Sequence, residues 1–175
     1  MRAPAALVLL FTISCASSPP PLVAPEWNAI PLGVVDALCL RLKAEGLASG
    51  ARVTVVNTTQ PIATARTIAA LSGPAPRKVS GEQVTTALRG AQKTIPLTLG
   101  GGACAWRAID AAAIGKHVDE MVVEMSAPLA NPFHPGAAGV FVRVSLGGEH
   151  ASWYWVSLIP QQGGWSVGFI QALSL

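Results

Sequence analysis

Charge is scarce in this sequence. Lysine, arginine, aspartate and glutamate make up 12% of the chain against 51% hydrophobic residues, and the net charge is only +3. So much apolar mass argues against a disordered chain, and so little charge argues against a nucleic-acid binder, which needs a basic stripe to meet phosphates. The basic residues are dispersed, most of them ahead of Asp110, and read as a solvated surface.

Cysteine is equally sparse. Of Cys15, Cys39 and Cys104, the first ends a leader-like segment, which leaves an even pair. In an oxidising compartment Cys39 and Cys104 either bridge, which would stabilise by about 4 kcal/mol in the chain-entropy model, or remain separate buried thiols. Neither sits in a C-x-x-C pair or beside a histidine, so no metal or redox role is expected.

Recognisable catalytic and cofactor motifs are also missing. Gly164-Trp165-Ser166-Val167-Gly168 matches G-x-S-x-G, yet that chemistry needs a strand–turn–helix elbow with acid and histidine following. The seven residues after Gly168 include none of these, and the pattern sits in a strand-like run. Gly100-Gly101-Gly102 lacks the lysine and hydroxyl residue of a phosphate loop. Asn57-Thr58-Thr59 is a formal glycosylation sequon that matters only in a eukaryotic secretory route. His134 and His150 read as turn residues.

The one dense group of titratable side chains is His117, Asp119, Glu120 and Glu124. On a helix His117, Glu120 and Glu124 would share a face and could bind a metal or exchange protons. The run has β character instead, which would turn His117 and Asp119 away from Glu120 and Glu124. Should the chain be an enzyme, His117 with Asp119 is the acid–base pair to mutate first, with Asp110 as a third member.

What is present begins with a leader. Residues 1–15 hold Arg2, a short apolar run over 5–13 and a small-residue ending. The run is too short to span a bilayer. Thr12-Ile13-Ser14-Cys15 resembles the lipobox of bacterial lipoproteins, which implies lipidation at Cys15 and a membrane anchor in the cell envelope, facing the periplasm. The alternative is cleavage after Ala16 and secretion. Residues 16–26 form a serine- and proline-rich tether that cannot build a core element, and 27–175 are expected to fold as one domain.

Within that domain, residues 33–50 have the spacing of a helix, with Val35, Leu38, Cys39 and Leu42 on one stripe. Residues 51–58 read as a strand and 64–71 as a short helix. Ser80 and Gln83 form an N-terminal capping pattern for a helix to about residue 92. Residues 94–98, 103–109 and 121–126 are strand-like, and a proline-rich turn precedes residue 139.

The chain is organised around residues 139–175, a three-stranded antiparallel meander with period-two alternation. If Leu146 pairs with Ser152 and Ile159 with Trp165, one face carries Val140, Val142, Val144, Leu146, Tyr154, Val156, Leu158, Ile170 and Ala172. The other carries Phe141, Arg143, Trp153, Trp155, Trp165, Val167 and Phe169, with Arg143 across from Trp155 for a cation–π contact. A ribbon apolar on both sides needs cover on both. The second face is packed by the chain itself, joined to another copy, or open to a ligand or partner through Arg143, Trp153, Trp155, Trp165 and Phe169.

Helices early and antiparallel strands late give an α+β fold, with helices on a curved sheet. The element order resembles the α+β rolls of nuclear-transport-factor-2-like and cystatin-like domains, folds that host binding modules and enzymes alike. The expected function is therefore a non-enzymatic envelope lipoprotein domain that binds a protein partner or supports an assembly, without a cofactor and without nucleic acid. The alternatives are a pocket for a small apolar ligand between the first helix and the sheet, and an enzyme using His117 and Asp119.

Overall fold

The computed structural model describes residues 23–48, 53–73, 78–117, 120–146 and 150–175. The expected leader with Cys15, most of the expected tether, Asp119 and residues 147–149 lie outside the described residues. The fold is α+β: among the described residues, three α-helices and a short 3-10 helix lie on an open seven-stranded sheet. In chain order the elements are α1 (Leu32–Ala44), β1 (Val53–Val56), α2 (Ala65–Ala69), α3 (Gly81–Ala91), β2 (Trp106–Ile109), the 3-10 helix (Ala111–Lys116), β3 (Met121–Met125), β4 (Leu129–Ala130), β5 (Ala138–Leu146), β6 (His150–Gln161) and β7 (Gly164–Leu173). The strands lie in the order β2-β1-β3-β5-β6-β7, with β4 beside β5.

The sheet is mixed. β1 pairs in parallel with β2 and β3, whereas β3, β5, β6 and β7 are antiparallel neighbours. The meander forms with a register two residues away from the simplest closure: Leu146 pairs with His150, and Ser152 with Val144. A slip of two keeps every side chain on its face but changes its neighbour. Arg143 therefore sits opposite Trp153, and Phe141 takes the place across from Trp155.

Between β6 and β7 the register shifts at Ser157/Leu158, so Ser157 faces Phe169 while Leu158 faces Val167. This bulge at Gly168 inverts the side-chain alternation of the first half of β7. Trp165 and Val167, expected beside Trp155, are carried instead to the α1 side, where they pack with Ile170 against the main core.

Alpha-helix α1 covers one face of the sheet. Its buried stripe of Val34, Val35, Leu38, Cys39 and Leu42 meets Val53, Val55, Val123, Val140, Val142, Tyr154 and Val156. The helix stops at Ala44, earlier than its apolar spacing suggests, because Gly46 takes a left-handed φ of 76° that closes the last turn. Cys39 and Cys104 form a disulfide across a sequence separation of 65 residues. Beside it Asp36 Oδ1 accepts from the Ala103 N–H, and Lys43 Nζ donates to the Ala103 carbonyl, each at 2.7 Å. The strand expected over 103–109 begins only at Trp106, since its first residues are held by α1.

The opposite face is covered in two places. Helices α2 and α3 close over Phe141, Trp155 and Leu129, bringing Ile68, Leu71, Ala87 and Ala91. Both helices open with capping boxes, Thr64 with Thr67 and Ser80 with Gln83. Gly139 allows the Trp155 ring to lie directly on β5; a Cβ there would run into the indole and the Val156 carbonyl. At the far end the 3-10 helix sets Ala113 and Ile114 on Val56, Ile109 and Val122. Residues 94–98 form no strand of their own; they join their neighbours through the bridges Ile30–Leu97 and Thr58–Pro96 and through Ile95, whose carbonyl accepts from the Thr59 N–H at 2.8 Å.

Candidate functional site

Between those two patches of cover, the same sheet face carries a belt of polar side chains. Arg107 from β2, Thr54 from β1, Glu120 beside β3, Glu124 from β3, and Arg143 and Ser145 from β5 point the same way by strand alternation and register. His117, at the C-terminal end of the 3-10 helix, completes the group.

The belt is two ion-paired sets. In the first, Arg107 Nη2 lies 3.0 Å from Glu120 Oε1 and 2.6 Å from His117 Nδ1, while Thr54 donates to Glu120 Oε2 at 2.7 Å. His117 Nδ1 thus stands between a guanidinium that can only donate and a carboxylate that can only accept, 3.2 Å away, and serves one of them at a time. The Thr54 hydroxyl, with help from His117 and Arg107, holds the Glu120 carboxyl below its ordinary range. His117 and Glu120 thus meet, at 3.2 Å, where simple strand alternation would part them, because His117 is the C-cap of the 3-10 helix and lies outside the strand.

In the second set Glu124 is almost fully buried, with 5% of its surface exposed, and burial pushes its carboxyl up from the ordinary value against the pull of Arg143. Arg143 Nη1 stands 3.2 Å from Glu124 Oε2 without hydrogen-bonding geometry, and that oxygen has no hydrogen-bond partner among the described residues. Ile114, His117, Glu120, Glu124 and Arg143 bound a cleft of about 200 Å³. Two guanidinium groups there are each matched to a carboxyl group. Among the described residues, no group of three or more His, Cys, Asp or Glu side chains is placed to hold a metal ion. Asp110 accepts from the Asn57 side chain at 2.8 Å, away from the ion pairs of the belt.

The expected partner face is divided by this arrangement. Trp155, only 1% exposed, stacks at a tilt on Phe141 with ring centroids 4.9 Å apart and holds the helices, not a ligand. Trp165 faces α1. Arg143 is committed to Glu124, and Trp153 is half-buried beside Leu173 in a shallow cleft with Thr64, Arg66 and Thr67. Phe169 alone of the five stands out, 55% exposed near the middle of β7.

Phe169 lies on a sheet edge. Strand β7 is the last in the order, and among the described residues no backbone–backbone hydrogen bond outside its ladder with β6 involves 164–173. From His150 to Leu175 there is not one lysine, arginine, aspartate or glutamate. Edge strands are ordinarily blunted by charge, proline or shortness. Here only the bulge at Gly168 interrupts a ten-residue edge. Period-two alternation identified the meander, but which strand is last follows from non-local pairing that the sequence does not display.

A second feature is a groove of about 670 Å³ at the C-terminal end of α1, lined by Leu47, Met121, Val144 and Leu146 with Arg107, Glu120 and His150 at its polar side. Leu47 and Leu146 are 40% and 60% exposed. Among the described residues no helix is long and apolar enough to cross a membrane. Comparison with protein-family models, with curated proteins and with solved structures finds no match.

Proposed function

We propose that this chain is a non-enzymatic, lipid-anchored domain of the bacterial cell envelope that docks a protein partner on the open edge of its C-terminal hairpin. The observation that carries the docking is the uncharged edge strand β7 with Phe169 exposed on it. An edge of this kind recruits an extended segment through main-chain hydrogen bonds, and side chains on alternate positions supply selectivity.

Several features support the setting. The lipobox-like ending at Cys15 and the proline-rich stretch after it suit a domain held off a membrane by a tether. The Cys39–Cys104 disulfide suits an oxidising compartment. The mutual pairing of Arg107 with Glu120 and of Arg143 with Glu124 favours a structural belt over a reactive one. Labelling cells with a radioactive fatty acid tests the anchor. Incorporation that disappears in Cys15→Ala is expected; an unlabelled mature protein beginning at Ser17 removes the anchor from the reading.

The groove beside Leu47 and Leu146 favours a second reading, a site for a small apolar ligand, since its size and lining are those of ligand clefts. It differs in place from the expected ligand or partner face of Arg143, Trp153, Trp155, Trp165 and Phe169. Titration with envelope lipid extracts, read by tryptophan fluorescence in the protein and in Leu146→Asp, tests it. Saturable binding lost in the variant supports this reading, and no binding removes it.

A further inference from the structure

We infer that the partner on this edge is a second copy of the chain, joined β7 to β7 in antiparallel sense about a twofold axis at Gln171. This rests on the reading that β7 is a docking edge, and it names the occupant. The bulge divides β7 in two. Beyond it, Phe169, Ile170, Gln171, Ala172 and Leu173 pair without interruption with residues 153–157 of β6, so their outer edge is a regular ladder template.

A twofold through Gln171 sets Gln171 against itself, Phe169 against Leu173 of the other copy, and Ile170 against Ala172. Cross-strand partners share a face, so Phe169, now 55% exposed, gains an apolar neighbour on its own side. An isologous contact brings each residue near its own duplicate, so any charge would face a like charge. The strand contains none. Glutamine is self-complementary at such an axis, because its amide carries both donors and an acceptor.

Closure favours the same arrangement. The opposite edge of the sheet is β2, four residues long and carrying Arg107, which is engaged with His117 and Glu120. It offers no uncharged ladder of matching length, so head-to-tail growth from β7 to β2 is disfavoured. Pairing of like edges stops at two copies and yields one continuous sheet through both.

Sedimentation velocity on the full chain in detergent, up to high micromolar protein, tests this with four samples: wild type, Gln171→Lys, Gln171→Glu, and an equimolar mixture of the two variants. Gln171 is solvent-exposed, and circular dichroism of each variant verifies folding. The expected result is a wild-type dimer, association weakened by about a hundredfold in each variant alone, and a dimer restored in the mixture. A wild-type monomer overturns the inference, as do variants that dimerise like wild type or a mixture that stays monomeric. A monomer whose edge still cross-links to a different envelope protein fells the second copy alone; a monomer with no adduct fells the docking edge too.

Discussion

Tyr154, near the centre of the sheet, donates its phenolic hydrogen bond at 2.5 Å to Glu45 just past the end of α1, across 109 residues of sequence. Glu45 is itself held by Arg41, whose Nε and Nη2 both lie 2.7 Å from Oε1. One carboxylate therefore ties the helix C-terminus to the middle strand of the meander. Burial, followed by the bond to and charge of Glu45, pushes the Tyr154 phenol up to about 12.

Tyr154 is the chain's only tyrosine, so tyrosinate absorbance reports this bond without interference. The native midpoint is expected near 12, against 10.0 for the ordinary phenol. A folded value above the unfolded one means that the native state holds its proton longer. The associated stability is complete below 10.0 and is lost as pH rises towards 12. Tyr154→Phe should remove this alkaline loss and cost about 1.5 kcal/mol at neutral pH in urea denaturation, a typical value for a bond to a charged acceptor.

The Cys39–Cys104 bridge pins the segment around Gly102 to α1, and the bonds at Ala103 share that task. Replacing both cysteines with serine should cost up to about 4 kcal/mol, the chain-entropy contribution of closing a loop of this length. Guanidinium denaturation with and without reductant measures it: reductant should destabilise the wild type and leave the double variant unchanged.

Glu124 is the belt's buried carboxyl, and its pH dependence runs in the opposite direction to that of Glu120. Its folded value lies above the ordinary 4.5, so its contribution to stability is present below 4.5 and lost as pH rises through the folded value. Glu124→Gln should abolish that loss and flatten the stability profile above pH 4.5, read by urea denaturation across pH. Arg143→Met should cost about 2 kcal/mol, a figure discounted because the guanidinium reaches water. The double variant should recover most of it, read as a shift in thermal midpoint.

The parts of the fold legible in the sequence are those set by local periodicity and capping. Ser80 and Gln83 cap α3 reciprocally, as their spacing foretells, and alternation identifies β5, β6 and β7. What escaped depends on partners distant in sequence. The run Val53–Val56 alternates identically whether its neighbours are parallel or antiparallel, so its parallel pairing with β2 and β3 is hidden. That pairing alone brings Arg107 to Thr54 and Glu120, and Arg107 read simply as surface charge. The bulge at Gly168 is a single residue in an otherwise regular pattern, yet it moves Trp165 and Val167 through the sheet. The expected second layer over Phe141 and Trp155 does exist, and it is supplied by α2 and α3.

Partner docking at β7 is best tested where the protein works, by placing a photo-crosslinking amino acid at Phe169 in living cells and a control at Glu82, an exposed residue of α3. Irradiation is expected to give discrete protein adducts from position 169, abolished by Gln171→Lys, and none of the same species from position 82. Equal or absent adducts at the two positions would contradict a docking edge.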